Sequence, residues 1–74
     1  MPLFWSSKRT TIEWLAAQYR DMSMLPPDEA MRRAQADYSK DPSAATERAA
    51  AFAGMVEAMT GVADPRRVGN WHQS

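Results

Sequence analysis

Few side chains in this sequence have the types and spacing that catalysis requires. The single histidine, His72, lies near the end of the printed chain. A Ser-His-Asp mechanism needs that ring to be held rigidly between a nucleophile and an orienting carboxylate. We expect no rigid neighbours around His72, so the sequence gives no support for nucleophilic catalysis.

Metal, cofactor and phosphate sites find equally little support. The sequence has no cysteine, so metal ligands would have to be mainly carboxylates. Asp28 and Glu29 are adjacent rather than three or four residues apart, and Glu47 and Glu57 point to different sides of one predicted helix. Three isolated glycines cannot form the spaced turn that cradles a phosphate. We therefore predict no enzymatic activity, no cofactor and no metal.

Three pairs of adjacent basic residues raise nucleic-acid binding as an alternative function. The pairs are Lys8–Arg9, Arg32–Arg33 and Arg66–Arg67, and Trp71 would offer a stacking group beside the last pair. Nine basic and nine acidic residues cancel, however, whereas a dedicated nucleic-acid binder usually has a basic surface. The residues that this alternative would use are Arg32, Arg33, Arg66 and Arg67.

Tryptophan and methionine make protein binding the favoured function. Trp and Met are adaptable contact residues at protein interfaces, and the sequence has three Trp and six Met. Trp14 and Leu25 fall together outside the main apolar stripe of the first predicted helix. Arg48 falls inside an apolar arc, where its stem can pack while its guanidinium reaches water or a partner's carboxylate. We predict Trp14, Leu25, Arg48 and Trp71 as partner contacts; the open alternative is that the tryptophans belong to the core.

The first element that must position these residues is a helix predicted from Thr10 to about Leu25. Thr10 and Glu13 match a capping box at its start. Pro26–Pro27 ends the helix, because proline lacks an amide hydrogen and restricts the residue before it. At about 100° per residue, the predicted buried stripe consists of Ile12, Leu15, Ala16, Tyr19 and Met22.

Two further helices are predicted, from Pro27 to about Ser39 and from Pro42 to about Thr60. Asp41 is placed to cap the third helix, and Gly61 is placed to end it in a left-handed conformation. The predicted core face of the second helix consists of Ala30, Met31, Ala34 and Tyr38. The predicted core face of the third consists of Ala45, Ala49, Phe52, Met55, Val56 and Met59.

The composition predicts a thin core. Thirteen residues are alanine, and only nine are Leu, Ile, Val or Phe. A chain of this size buries only about 60% of its unfolded surface and usually needs a disulfide, a metal or a second copy. Ala50, Gly54 and Ala58 form a ridge of small residues opposite the main stripe of the third helix, which would let two helices approach closely. We predict a homodimer with this ridge as its interface; the alternative is that alanine only serves helix propensity.

These patterns predict an all-α fold, either a small three-helix bundle or a helical hairpin-type domain with a short C-terminal helical turn or tail. Residues 1–9 are predicted as an apolar and basic segment, 10–61 as the helical domain and 62–74 as the tail. The apolar run Pro2–Leu3–Phe4–Trp5 is far shorter than the ~20 residues of a membrane span, so we expect a soluble, cytoplasmic protein.

The predicted function is that of a non-enzymatic adaptor, regulator or inhibitor that acts by protein contact. Small accessory proteins of phages and plasmids have a similar size and composition, which is an analogy about a class. A nucleic-acid-associated regulator is the first alternative, and a self-assembling structural subunit is the second.

Overall fold

Three α-helices pack against one another and form a small all-α bundle. The computed structural model describes residues 7–61 and 64–65, with α1 at Lys8–Met22, α2 at Pro27–Lys40 and α3 at Pro42–Thr60. Helix α1 makes the largest contacts, with α2 on one side and α3 on another. The predicted fold class is confirmed. No helix in the described part of the chain is both long enough and apolar enough to cross a membrane.

Helix α1 begins and ends earlier than its sequence predicted. The N-cap is Ser7 rather than Thr10, because the Ser7 side chain accepts a hydrogen bond from the Thr10 amide at 3.3 Å. At the other end, the Ser23 and Leu25 amides both donate to the Tyr19 carbonyl, at 3.1 and 3.3 Å. Leu25 precedes a proline and is therefore disfavoured in helical conformation. The last helical residue is Met22, and Leu25 lies in the turn.

The predicted junctions of α2 and α3 are confirmed. Asp41 alone separates the two helices; its amide donates to the Asp37 carbonyl at 3.1 Å, and its carboxylate accepts from the Ala44 amide at 3.2 Å. Pro42 occupies the first turn of α3, where a missing amide hydrogen costs nothing. Gly61 ends α3 with φ at 79°, in the left-handed region that favours glycine.

The core combines a few large side chains with many alanines. Trp14, Leu15 and Phe52 are almost fully buried, and the Trp14 and Phe52 rings meet edge to face with centroids 6.0 Å apart. Alanines at the helix contacts let the backbones approach closely, which compensates for the small number of aliphatic residues. The buried alanines are Ala16, Ala17, Ala30, Ala34, Ala45, Ala49 and Ala53.

Several predicted positions of apolar residues are corrected by this packing. Trp14 lies in the core, with only 2% of its surface exposed, because α1 is covered by α3 as well as by α2. Met22, at the end of α1, is exposed instead of buried. Met55 and Met59 were expected in the seam of α3 but are 45% and 69% exposed. Ala53, which the predicted seam omitted, is buried in their place.

One polar group is left unsatisfied inside the bundle. Thr11 is 1% exposed, and its hydroxyl has no hydrogen-bond partner among the residues that the structure describes. A buried hydroxyl without a partner destabilises the folded state, because it loses its hydrogen bonds to water on folding. The polar residue at position 11 therefore weakens a core that is already thin.

The predicted domain boundaries can be compared with the structure only in part. Helix α1 begins within the segment 1–9, at Lys8, and the helical unit closes at Gly61. Of the predicted tail 62–74, only Asp64 and Pro65 are described. The Pro65 carbonyl accepts a hydrogen bond from the Arg20 guanidinium at 2.9 Å, so the chain comes back to α1 after the end of α3.

Candidate functional site

A cluster of polar side chains connects all three helices; we call it the polar cluster, and it consists of Gln18, Tyr19, Asp37 and Arg48. The Tyr19 hydroxyl donates to Asp37 Oδ2 at 2.5 Å. Arg48 Nη2 donates to the same oxygen at 3.3 Å and to Gln18 Oε1 at 3.4 Å. The Arg48 guanidinium also lies over the Tyr19 ring, 5.8 Å from its centroid. These contacts position α2 and α3 against the last turns of α1.

Arg48 was predicted to reach water or a carboxylate of a partner. Its side chain is 48% exposed, and the carboxylate that it meets, Asp37, belongs to its own chain. Both the hydroxyl of Tyr19 and the charge of Arg48 are directed at Asp37. The polar cluster therefore holds the helices together.

The longest helix has an exposed side with very few charges. The outer face of α3, which lies opposite its buried residues, consists of Ala50, Ala51, Gly54, Met55 and Ala58. Ala50 is half-buried and the other four are exposed. A Cβ atom added at Gly54 would meet nothing within 4 Å. The structure thus places the predicted ridge of Ala50, Gly54 and Ala58 at the surface, open to a neighbour.

Both charged residues beside the outer face of α3 are acidic. Glu47 and Glu57 are exposed, one near the start of the helix and one near its end. The only basic residue in α3, Arg48, points toward Asp37 in the polar cluster. A binding partner at this face would meet small apolar groups flanked by negative charge.

A groove lies between the first turns of α1 and the middle of α2. It has a volume of about 430 Å³ and is lined by Lys8, Arg9, Ile12, Glu13, Met31 and Gln35. Ile12 is 8% exposed and Met31 is half-buried, so both belong to the apolar floor. No pattern in the sequence predicts this groove, because its two walls come from different helices.

The basic residues of the nucleic-acid alternative have acidic partners where the structure describes them. Arg32 and Arg33 both pair with Glu29, at 2.5 and 3.3 Å. Hydrogen bonds from Arg32 and then Arg33 lower the pKa of Glu29 below its usual value, so this carboxylate stays charged and balances the pair. Arg66 and Arg67 lie outside the described residues.

The four predicted partner contacts are not brought together as one site. Trp14 is buried against Phe52, so its indole has almost no surface to offer in this fold. Leu25 is half-buried and packs against the core. Arg48 belongs to the polar cluster, and Trp71 lies outside the described residues. No pattern in the sequence connects Asp37 with its partner Tyr19, because 18 positions separate them.

The chain matches no protein-family model, and no curated protein and no solved structure is significantly similar to it. Its function must therefore be argued from its own residues. Within the described part of the chain, no three His, Cys, Asp or Glu side chains are grouped so that they could hold a metal ion. The outer face of α3 is exposed, but its five residues are small or apolar, unlike the polar face of an ordinary solvated helix.

Proposed function

We propose that this chain is a small, non-enzymatic protein-binding module and that its contact surface is the outer face of α3. The observation that carries the proposal is the exposure of Ala51, Gly54, Met55 and Ala58 on one side of a helix whose opposite side forms the core. A helix that is apolar on both sides is typical of one covered on both sides. The second cover is supplied by a partner.

The residue types on this face suit a helix as the partner. Small side chains allow two helix axes to approach at the short end of the usual range, about 8 Å. Met55 lies beside the small residues and is 45% exposed, and its flexible thioether can adapt to the shape of a neighbour. At 19 residues, α3 offers a straight contact about 28 Å long.

The charges favour a partner other than a second copy. Glu47 and Glu57 flank the outer face of α3, and the basic residue of α3, Arg48, is paired with Asp37 of its own chain. Two copies meeting through this face would bring like charges together, which disfavours self-association. We therefore propose an amphipathic helix that presents small or apolar residues between lysines or arginines. A homodimer, expected from the thin core, is the competing outcome.

Gly54→Gln tests the proposed surface without disturbing the fold. Space is open at Gly54, and glutamine is the better helix former, so we expect the variant to be more stable by roughly 0.5–1 kcal/mol. The added side chain prevents close approach of another backbone. Ala36→Gln, at an exposed position of α2, introduces the same side chain away from the proposed surface and is the matched control.

The binding assay is quantitative affinity capture from nuclease-treated extract of the source cells, followed by calorimetry with the captured protein after purification. We expect a partner that binds the wild type and Ala36→Gln but binds Gly54→Gln at least about tenfold more weakly, or ~1.4 kcal/mol. Equal binding by all three forms would refute the proposed surface. Binding that depends on nucleic acid and weakens steeply with salt would refute protein binding itself.

The solution mass distinguishes the two kinds of occupant. Light scattering across a dilution series should give the mass of one chain for the wild type and for Gly54→Gln. A stable double mass for the wild type that Gly54→Gln abolishes would keep the surface but make a second copy its occupant.

Because the sequence has no disulfide-forming residue, we propose that the module acts in the cytoplasm, where thiols stay reduced.

A further inference from the structure

The groove between α1 and α2 is apolar at its floor, and the charges at its rim already have partners. Lys8 Nζ lies 5.8 Å from the centroid of the Tyr38 ring, and Arg9 pairs with Glu13 at 3.4 Å. The floor is formed by Ile12 and Met31. Such a groove favours an uncharged, apolar occupant over a charged one.

The sequence places such an occupant directly before the groove. Leu3–Phe4–Trp5 is the longest uninterrupted run of large apolar residues in the chain, and residues 2–7 carry no charged side chain. Trp5 precedes Lys8 by three positions, so the two Cα atoms are at most about 11 Å apart. Lys8 and Arg9 line the groove themselves. The run Leu3–Phe4–Trp5 is therefore tethered within reach of the Ile12 and Met31 side chains.

We infer that the groove between α1 and α2 is the docking site of this chain's own segment Leu3–Phe4–Trp5, which lies outside the described residues. The tether makes this association intramolecular, so a modest apolar contact is enough to keep the groove occupied. The segment adds large apolar groups to a core built mainly from alanine. The inference concerns a surface separate from the outer face of α3 and does not rest on the proposed function.

Fluorescence quenching by iodide tests the docking of Trp5. In the Trp71→Phe background, the remaining indoles are Trp5 and Trp14, and Trp14 is only 2% exposed. The further variant Trp5→Phe gives the signal of Trp14 alone, which is subtracted. We expect Trp5 to be quenched several-fold less than a free tryptophan amide. Quenching equal to that of the free amide would overturn the inference.

Two variants should release Trp5 by different routes. Met31→Asp changes the groove, whereas Phe4→Ser changes the segment. We expect each variant to raise the quenching of Trp5 toward that of the free amide. Met59→Asp, at an exposed position of α3, is the control and should leave the quenching unchanged.

If Met31→Asp loses helical circular dichroism, the milder Met31→Ser tests the groove in its place, and Phe4→Ser still tests the segment. Unchanged quenching in Phe4→Ser would overturn the inference. Release of Trp5 by Met59→Asp as well as by Met31→Asp would show that the groove is not the docking site, and it too would overturn the inference.

Discussion

The unsatisfied hydroxyl of Thr11 leads to a prediction that runs against the usual effect of a core substitution. Thr11→Val keeps the β-branched shape and replaces the hydroxyl by a methyl group. Thr11 is 1% exposed, and its hydroxyl has no hydrogen-bond partner in the described part of the chain, so the substitution removes no hydrogen bond seen there. The variant should be more stable than the wild type, although most core substitutions destabilise.

The size of the gain follows from the burial of the group. A buried, unpaired polar group costs about 1–3 kcal/mol, and a buried methyl adds a favourable transfer term of about 0.8 kcal/mol. Because the folded chain can relax around position 11, we expect the lower part of this range, about 1–2 kcal/mol. For a domain of this size, about 1 kcal/mol corresponds to a shift in Tm of roughly 4–8 °C.

The assay is urea denaturation followed by circular dichroism, with thermal melting as a second measurement. The midpoint should rise while the denaturant slope stays unchanged, because only the stability of the folded state changes. Thr46→Val is the matched control: the Thr46 hydroxyl donates to the Pro42 carbonyl at 2.8 Å, so its removal brings no comparable gain. A Thr11→Val variant that is neutral or less stable would refute the reasoning, since the hydroxyl would then have a partner.

Further perturbations test other parts of the fold. Trp14→Ala should lower the free energy of unfolding by about 3–5 kcal/mol, which should abolish the cooperative thermal transition of so small a domain. A variant that stays folded but loses partner binding would instead make Trp14 a contact residue. In a double-mutant cycle, Arg48→Met and Asp37→Asn should show a coupling of only about 0.5–1 kcal/mol, because both side chains are partly exposed; a coupling near zero would mean that the pair does not fix the helices. Met24→Gly should raise the stability by roughly 0.5–1 kcal/mol, because Met24 has φ at 58° and is 79% exposed; a lower Tm would contradict this. Arg32 and Arg33 lower the pKa of Glu29, so any stability that these ion pairs provide is present above pH 4.5 and is lost as the pH falls through the folded-state pKa. The Tm of Glu29→Gln should therefore fall less steeply with decreasing pH than the Tm of the wild type.

The local structure of this protein could be predicted from neighbouring residues. Asp41 and Pro42 predict the junction of α2 and α3, because a capping carboxylate and a proline in the first turn act within one turn of backbone. Gly61 predicts the end of α3 for the same kind of reason, since only the local φ decides it. The start of α1 was missed by a few residues because Ser7 and Thr10 are both good caps, and the sequence does not rank them.

The candidate site depended on contacts between helices. The ridge of Ala50, Gly54 and Ala58 was found from helical periodicity, but only packing shows that it is exposed. Arg48 was recognised as unusual in an apolar arc, yet its partner Asp37 lies on another helix and has no signal in the sequence near Arg48.

The sequence by itself determined three helices, the junction of α2 and α3, and the faces that Phe52 and Tyr38 occupy, because periodicity and capping are set within a few residues. Only the tertiary structure decided that Trp14 is core, that Met55 and Met59 are exposed, and that Arg48 meets Asp37. The physical reason is that a residue's burial depends on how many helices cover it. Trp14 of α1 meets Phe52 of α3, a contact between two helices that no pattern within a single helix can show.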